Sequence, residues 1–265
     1  MPQQRAIRKY PRTPHLTGSR LQAGDGDLSQ VPIDALRGLP LVIEEKVDGA
    51  NSAISFSPEG ELLLQSRGHY LTGGPRERHF AQLKTWASTH SHAFWPVLGA
   101  RYLVYGEWLY ARHTIFYDAL EHYFLEFDVY DRQEDTFLST DRRHALLEGL
   151  PIHSVPVLHR GEIRSRKQLK ALLGPSAYRT PQWRDVLREV AERLGQDPDR
   201  LLRETDASDL MEGLYIKVER DGAVVDRSKW VRSSFTDTIA AAGGHWHDRP
   251  ILPNQLAPDV DIYRC

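Results

Sequence analysis

The sequence predicts an α+β fold with antiparallel sheets flanked by helices. β-Prone runs outnumber helical ones, turn residues join most of them directly, and Asp221-Gly222 between two such runs is a strong hairpin signal. The first sheet signal runs from Leu41 to Phe56, is broken at Asp48-Gly49, and turns at Ser57-Pro58-Glu59-Gly60 into Leu62-Leu63-Leu64. That pattern gives two or three strands with turns between them. Phe80, Leu83 and Ala87 recur at helical spacing and predict a helix over about 77–89. Strands are expected at 102–106 and 123–130 and helices over 141–147 and around Val186, Leu187, Val190, Ala191 and Leu194. Ser165-Arg166-Lys167-Gln168 has the form of a capping box, with Gly174 as the stop. Strands 214–219 and 223–231 flank Asp221-Gly222, and a terminal helix is expected from Thr236 to Ala242, ahead of Gly243-Gly244.

With no internal repeat and no low-complexity linker, residues 1–265 read as one domain. Residues 1–38, rich in Pro, Arg and Gly, read as an extended lead-in, and 233–265 as a short C-terminal tail. The composition, 40% hydrophobic and 26% charged, is that of a globular chain. Apolar runs such as Pro40-Leu41-Val42-Ile43 are far shorter than the ~18 residues of a membrane span. The N-terminus lacks the apolar core of a secretory signal, so a cytoplasmic location with no membrane partner is expected. The single cysteine, Cys265, excludes an internal disulfide, a cysteine-built zinc site and papain-like chemistry. His245-Trp246-His247-Asp248 is the densest histidine group but lacks His-Glu-x-x-His spacing, and it reads as a polar surface turn after a helix.

A formal charge of −2 does not announce a nucleic-acid protein, yet the cations are clustered. Arg5, Arg8, Lys9, Arg12 and Arg20 form one group; Arg160, Arg164, Arg166, Lys167 and Lys170 a second; Arg227, Lys229 and Arg232 a third. Such runs are usually solvated faces, and they are also compatible with phosphate contacts.

The chemistry-bearing stretch is Glu45-Lys46-Val47-Asp48-Gly49-Ala50-Asn51. It places a lysine at a strand end, before a turn where glycine lets backbone approach a ligand. A lysine becomes a nucleophile when cationic neighbours or desolvation push its ammonium toward the neutral amine. Tyr105-Gly106-Glu107-Trp108 and Met211-Glu212-Gly213 place carboxylates at the ends of other strands. Phe124-Leu125-Glu126-Phe127-Asp128-Val129-Tyr130 is an aromatic strand, and Ser228-Lys229-Trp230-Val231-Arg232 adds two cations. Taken singly, each reads as an ordinary surface or core residue.

Together and in this order they resemble the covalent nucleotidyltransferase superfamily of DNA ligases, RNA ligases and capping guanylyltransferases, over about seventy per cent of the chain, from Lys46 to Arg232. Lys-Val-Asp-Gly-Ala-Asn, Phe127-Asp128 and Tyr10-Pro11-Arg12-Thr13-Pro14-His15-Leu16 look like the phage-type RNA ligases that repair nicks. The resemblance implies an ATP-dependent RNA ligase with the nucleotidyltransferase (ATP-grasp-like ligase) fold, using Mg2+ or Mn2+. Lys46 would take AMP from ATP, pass it to an RNA 5′-phosphate, and a 3′-hydroxyl would displace it. Arg67 matches an arginine near the phosphates, Glu107 the acid that binds the ribose, and Phe127 the aromatic that stacks on adenine. Glu45 belongs to the same nucleotide site. Glu212 matches the acid that organises a hydrated metal, with Asn51 near that metal, and Lys217 and Lys229 match phosphate-contacting cations that would also depress the pKa of Lys46.

One departure stands out. The group places a second lysine two residues after Lys229, where this chain has Val231, with Arg232 next to it on the opposite strand face unless a bulge intervenes. DNA ligases and capping enzymes carry an oligonucleotide-binding barrel after the last motif, and only 33 residues follow Arg232, so no such barrel is expected. The alternatives are a DNA ligase, a capping-type enzyme or a nucleotide-binding module without turnover. The RNA ends joined, a kinase–phosphatase that would prepare them, and the role of residues 160–205 stay open.

Overall fold

The structure, a computed structural model, describes residues 7–21, 29–242 and 250–264. Gly243-Gly244, the His245–Asp248 group, Arg5 and Cys265 lie outside the described residues.

In chain order the strands are β1 (His15–Leu16), β2 (Gln30–Val31), β3 (Leu41–Lys46), β4 (Ala50–Phe56), β5 (Leu62–Ser66), β6 (Tyr102–Trp108), β7 (Phe124–Asp131), β8 (Thr136–Leu138), β9 (His153–Ser154), β10 (Val157–Gly161), β11 (Gly213–Arg220) and β12 (Ala223–Val231). The helices are α1 (Ala81–Thr89), α2 (Ser91–Leu98), α3 (Thr140–Leu147), α4 (Arg166–Lys170), α5 (Trp183–Arg193), α6 (Pro198–Arg203) and α7 (Ser233–Ala242). The main strand order is β10-β3-β11-β12-β8-β7-β6-β4-β5, antiparallel along this path. Off this path, β1 pairs in parallel with β12 and β2, and β9 pairs in parallel with β7.

The path divides into two halves joined by short β8, which pairs with β12 at only Ala223 and Val224. Strand alternation decides what each half faces. In the lysine half, Leu41, Ile43, Leu214, Ile216 and Trp230 pack on one side with Leu36, Ile163 and Leu169. Glu44, Lys46, Tyr215 and Lys229 occupy the other side and line the central cleft. In the second half Ile54, Phe56, Val104 and Trp108 face α1 and α2 through Leu83, Trp86 and Phe94. Asn51 and Glu107, paired across β4 and β6, face the cleft.

Local chemistry explains the boundaries. Asp221 and Gly222 both take positive φ (50° and 77°), as a tight two-residue hairpin requires. The helix expected over 77–89 begins as a 3-10 turn, Pro75–Phe80, and becomes α1. Ser165 caps α4 by accepting from the Gln168 amide at 3.1 Å, but α4 ends at Lys170, before Gly174. Two helices lay outside the expected elements. In α2 the internal Pro96 argues against a helix, and burial of Phe94 and Leu98 overrides it. In α6 Asp197 caps Pro198 by accepting from the amides of Asp199 and Arg200.

Both chain ends do more than the sequence suggested. In the lead-in, the Lys229 amide donates to Pro14 O (2.9 Å), and Tyr105 Oη and Gln65 Nε2 donate to Arg8 O (2.8 and 2.9 Å), so this segment bridges the two halves. Within residues 250–264, Asn254 is fully buried; its side chain accepts from the Tyr117 amide (2.9 Å) and donates to Leu109 O (2.7 Å).

Candidate active site

The turn after β3 presents Lys46 at the floor of a cleft of about 1180 Å³. Gly49 is required there, because a Cβ would fall 2.6 Å from Leu109 Cδ2 and 2.7 Å from Trp108 O. Asp48 fastens the turn: its Oδ2 accepts from the amides of Thr114 (2.7 Å) and Ile115 (2.8 Å), and its own amide donates to Tyr117 Oη (2.8 Å). The Tyr117 stretch is in turn held by Asn254.

Lys46 Nζ donates to Glu212 Oε2 at 2.7 Å, and the two residues come from strand ends brought together by the Gly213–Lys46 register. Glu107, Asn51, Arg67, Phe127 and Lys229 line the same cleft, so most of the expected site residues converge. Arg67 is exposed at the tip of the turn where the Ser66 amide donates to His69 O (2.9 Å). Tyr10, Thr13, Glu44, Asp48, His113, Tyr215, Phe235 and Ile239 also line the cleft and were given no role from sequence. For Asp48, Tyr10 and Thr13 the signal was at hand, since they lie within the Glu45–Asn51 and Tyr10–Leu16 motifs.

Some expected residues stand elsewhere. Lys217 is fully buried, paired with Glu44 (2.9 Å) and Asp128 (3.2 Å) and donating to Phe127 O, so the phosphate role expected of it finds no support in its position. It shares a strand face with Tyr215 but lies two residues farther from the strand end, beneath the floor. Asp128 is buried beside it and accepts from Tyr10 Oη. Arg232 is also buried; it donates to Met211 O (2.7 Å) and pairs with Asp206 (2.8 Å), so it braces the approach to Glu212 and does not line the cleft. Alternation instead places Arg227, opposite Lys217, on the face of Lys229. Glu45 stands in the cleft wall, but its carboxylate accepts from Ser176 Oγ (2.5 Å) and the Ala177 amide (3.1 Å), which anchors that loop. Arg12 is exposed between the cleft-lining Pro11 and Thr13. In the second basic cluster, Arg166 and Lys170 lie over the Trp230 ring, on the side of the lysine sheet away from the cleft.

The electrostatics run opposite to the expectation for Lys46. Burial favours its neutral amine, but the carboxylates of Glu212 and Glu107 outweigh burial and raise its pKa above the ordinary value. Of the two cations expected to depress it, Lys217 and Lys229, Lys217 is neutralised by two acids of its own. The acids feel the converse. Burial, reinforced by Glu212, pushes Glu107 up to about 8 and Asp48 up to about 7. Above the ordinary carboxylate range the folded chain thus holds protons that the unfolded chain has released, and stability falls as pH rises through those values. Buried His122 (lowered to about 3) and His144 (about 4) act in the opposite sense, but only below the ordinary histidine value. The melting temperature of the ligand-free protein is therefore expected to drop between about pH 6.5 and 8. Glu107→Gln should flatten that slope, and a melting temperature rising across the window would contradict the assignment.

The oxygens of Glu212, Glu107 and Asp48, with the Asn51 amide, are the hard donors that suit Mg2+ or Mn2+. Among the described residues no three His, Cys, Asp or Glu side chains form a ready-made metal cage. Mg2+ is commonly held by one or two carboxylates and completed by water and substrate phosphates. A strand-end lysine, facing acids and flanked by Arg67 and Lys229, defines a centre suited to covalent phosphoryl chemistry.

The RNA ligase family model matches residues 39–231, a span that contains Lys46, Glu107, Phe127, Glu212 and Lys229. The chain belongs to the RNA ligase family. Among solved structures, an apo mutant of Naegleria gruberi RNA ligase superposes with a TM-score of 0.51 at 16% identity, covering 86% of this chain and 58% of that one. A mutant of the same ligase with ATP and Mn gives 0.50 at 16% identity, covering 79% and 54%. The likeness is one of fold, and the chain spans a little over half the length of those proteins. No curated protein matches the sequence closely. Among the described residues no helix is long and apolar enough to cross a membrane.

Proposed function

We propose that this chain is an ATP-dependent RNA ligase that joins RNA 3′-hydroxyl and 5′-phosphate ends through a lysyl-AMP intermediate on Lys46. The observation that carries this reading is the convergence of Lys46, Glu212, Glu107, Arg67, Lys229 and Phe127 on one cleft. Family membership supports the reaction class, and the Naegleria ligase bound to ATP and Mn supports the choice of nucleotide and metal.

In the resting site Lys46 is an ammonium held by Glu212. A divalent cation bound beside Glu212, with Asn51 close by, would supply positive charge for the phosphates and compete with the ammonium for that carboxylate, favouring the neutral amine. Lys46 Nζ then attacks the α-phosphorus, forming the N–P bond as the bond to pyrophosphate breaks. Lys229 and Arg67 stabilise charge on the phosphate oxygens, Glu107 holds the ribose, and Phe127 supports the base. An RNA 5′-phosphate oxygen next takes the AMP from Lys46, and the 3′-hydroxyl oxygen displaces AMP to close the strand. Lys217, Asp128 and Arg232 act in this scheme as buried supports beneath the reacting groups.

Incubation of the protein with α-labelled ATP and Mg2+ should label it, and added RNA with 5′-phosphate and 3′-hydroxyl ends should be joined with loss of that label. Nicked duplex, stem-loop and single-stranded RNA compared side by side would identify the ends preferred. Label from GTP and not ATP would move the reading to capping chemistry. Joining of nicked DNA but not RNA would move it to a DNA ligase. Glu212→Ala should lower the labelling rate by about 100-fold or more while the protein remains folded, since it removes the partner of Lys46 and the best-placed metal carboxylate. Full activity in that variant would remove both roles. An end-healing kinase–phosphatase partner and a cytoplasmic location belong to the same reading; no faster sealing of unrepaired ends when such a kinase is added would count against the partner.

A further inference from the structure

Four oxygen-bearing side chains at the aromatic end of the cleft form a hydrogen-bond chain whose direction can be worked out. It starts at Asp128, which is fully buried and faces two cations, Lys217 at 3.2 Å and Arg227 at 3.6 Å. Paired in this way it is a carboxylate, and a carboxylate only accepts. These cations outweigh burial and hold its pKa below the usual carboxylate range. Tyr10 has one hydroxyl proton and gives it to Asp128. The 2.5 Å contact between Tyr10 Oη and Tyr215 Oη must therefore be donated by Tyr215. With the Tyr215 proton committed, the 2.9 Å contact between Thr13 Oγ1 and Tyr215 Oη must be donated by Thr13. Burial raises the pKa of both phenols, so each keeps its single proton. Thr13 Oγ1, at the end of the chain, has lone pairs to offer and no proton.

This matters because Tyr10, Thr13, Phe127 and Tyr215 all line the cleft. The Tyr10 ring meets Phe127 edge-on at 5.1 Å, and Phe127 and Tyr215 lie 6.2 Å apart, so the rings form one aromatic end wall. The cations Lys46, Arg67 and Lys229 lie along the rest of the cleft, with Lys229 directly across the β11–β12 ladder from Tyr215. A nucleotide whose phosphates meet those cations lays its base against the aromatic wall, next to Thr13.

We infer that Thr13 is a specificity-determining residue for the base. Its hydroxyl accepts a hydrogen bond from an exocyclic amino group, as on the six-position of adenine, and opposes the keto oxygen that hypoxanthine or guanine carries there. The inference rests on the nucleotidyl-transfer reading above and adds to it a residue, a polarity and a cause. Polarity reaches Thr13 from Asp128 through two phenols, so Tyr10 acts as a positioning residue although it need not touch the base.

The test compares initial rates of protein labelling by α-labelled ATP and α-labelled ITP, which lacks the six-amino group, in the full chain and in two variants. The wild type is expected to favour ATP by roughly 10- to 100-fold in kcat/KM, the range for leaving a buried acceptor unpaired. Thr13→Val, which removes the acceptor, should cut that ratio by about tenfold or more, chiefly through a higher KM for ATP. Tyr10→Phe keeps Thr13 but frees the Tyr215 proton to turn toward it, which lets Thr13 donate. The ratio should fall there too, with use of ITP improving. A purely structural role would slow both nucleotides alike and leave the ratio unchanged; that result in both variants, or a wild type indifferent to the two nucleotides, overturns the inference and leaves lysine adenylylation standing. Should Thr13→Val show no cooperative melt, the ratio in Tyr10→Phe decides. A wild type labelled by neither nucleotide removes the functional reading and this inference with it.

Discussion

Lys46→Ala is expected to abolish protein labelling by α-labelled ATP and to lower RNA joining by about 10⁴-fold or more, since a covalent route loses its only attacking atom. The more discriminating variant is Lys46→Arg. A guanidinium keeps its charge under all ordinary conditions and can still pair with Glu212, yet it offers no neutral amine to a phosphorus atom. Lys46→Arg should thus melt close to the wild type while being as inactive as Lys46→Ala. The expectation depends on geometry already described: Lys46 is half-buried at a cleft floor, with Nζ 2.7 Å from Glu212 and the Glu107 carboxylate contributing to its charge balance. Joining of RNA by Lys46→Arg at more than a few per cent of the wild-type rate would show that the lysine serves as a cation and not as a nucleophile. Label would then have to sit elsewhere or not form.

The largest stability effect is expected at Arg143. Its guanidinium is fully buried and pairs with Glu126 at 2.5 Å and with Glu44, both also fully buried. Glu126 additionally accepts from Ser154 (2.7 Å), and Glu44 forms an ion pair with Lys217 (2.9 Å). Arg143→Met would leave two buried carboxylates short of a counter-charge, a change that typically costs about 3–5 kcal/mol. For a chain of this size that corresponds to a drop of roughly 10 °C in melting temperature. Neutralising one acid as well, with Glu126→Gln, should recover part of the loss, because the penalty comes from uncompensated charge and not from lost volume. An Arg143→Met protein that melts with the wild type would mean that water or protonation already relieves this cluster. The cluster underlies the cleft floor: Glu44 joins Arg143 to Lys217, and Lys217 joins Asp128 and hence Tyr10.

What could be read in the sequence, and what could not, divides along physical lines. Residues tied to a strand end and a turn were legible. Glu45 to Asn51, Glu107 and Glu212 each sit where an alternating run meets a break, and the fold brings those ends together. The Asp221-Gly222 hairpin was legible because two positive φ values leave few residue choices. Long-range pairing was not. Lys217 and Lys229 look alike in sequence, both being lysines within β-prone runs, but three-dimensional packing gives Lys217 two acids and the interior, and places Lys229 in the cleft wall. The pKa of Lys46 was expected to be lowered by those cations; with Lys217 neutralised, the acids dominate. Arg232 looked like a substitute for a missing lysine, but its guanidinium is taken up by Met211 O, Ser234 Oγ and Asp206. The contacts of the lead-in and the tail were not legible because they are made by single residues without periodicity. That Thr13 would touch Tyr215 across the chain, or that Asn254 would fill the bonds of a distant loop, is a long-range pairing that no local pattern announces.

Peptide mapping by mass spectrometry, after the protein has been incubated with ATP and Mg2+ and before any RNA is added, is the most direct test of the central claim. An adenylyl group on the peptide holding Lys46, labile in acid as a phosphoramide is and lost when RNA with a 5′-phosphate is supplied, is the predicted result. An unmodified Lys46 peptide from protein that nevertheless joins RNA, or a stable adenylyl group on another side chain, would contradict it.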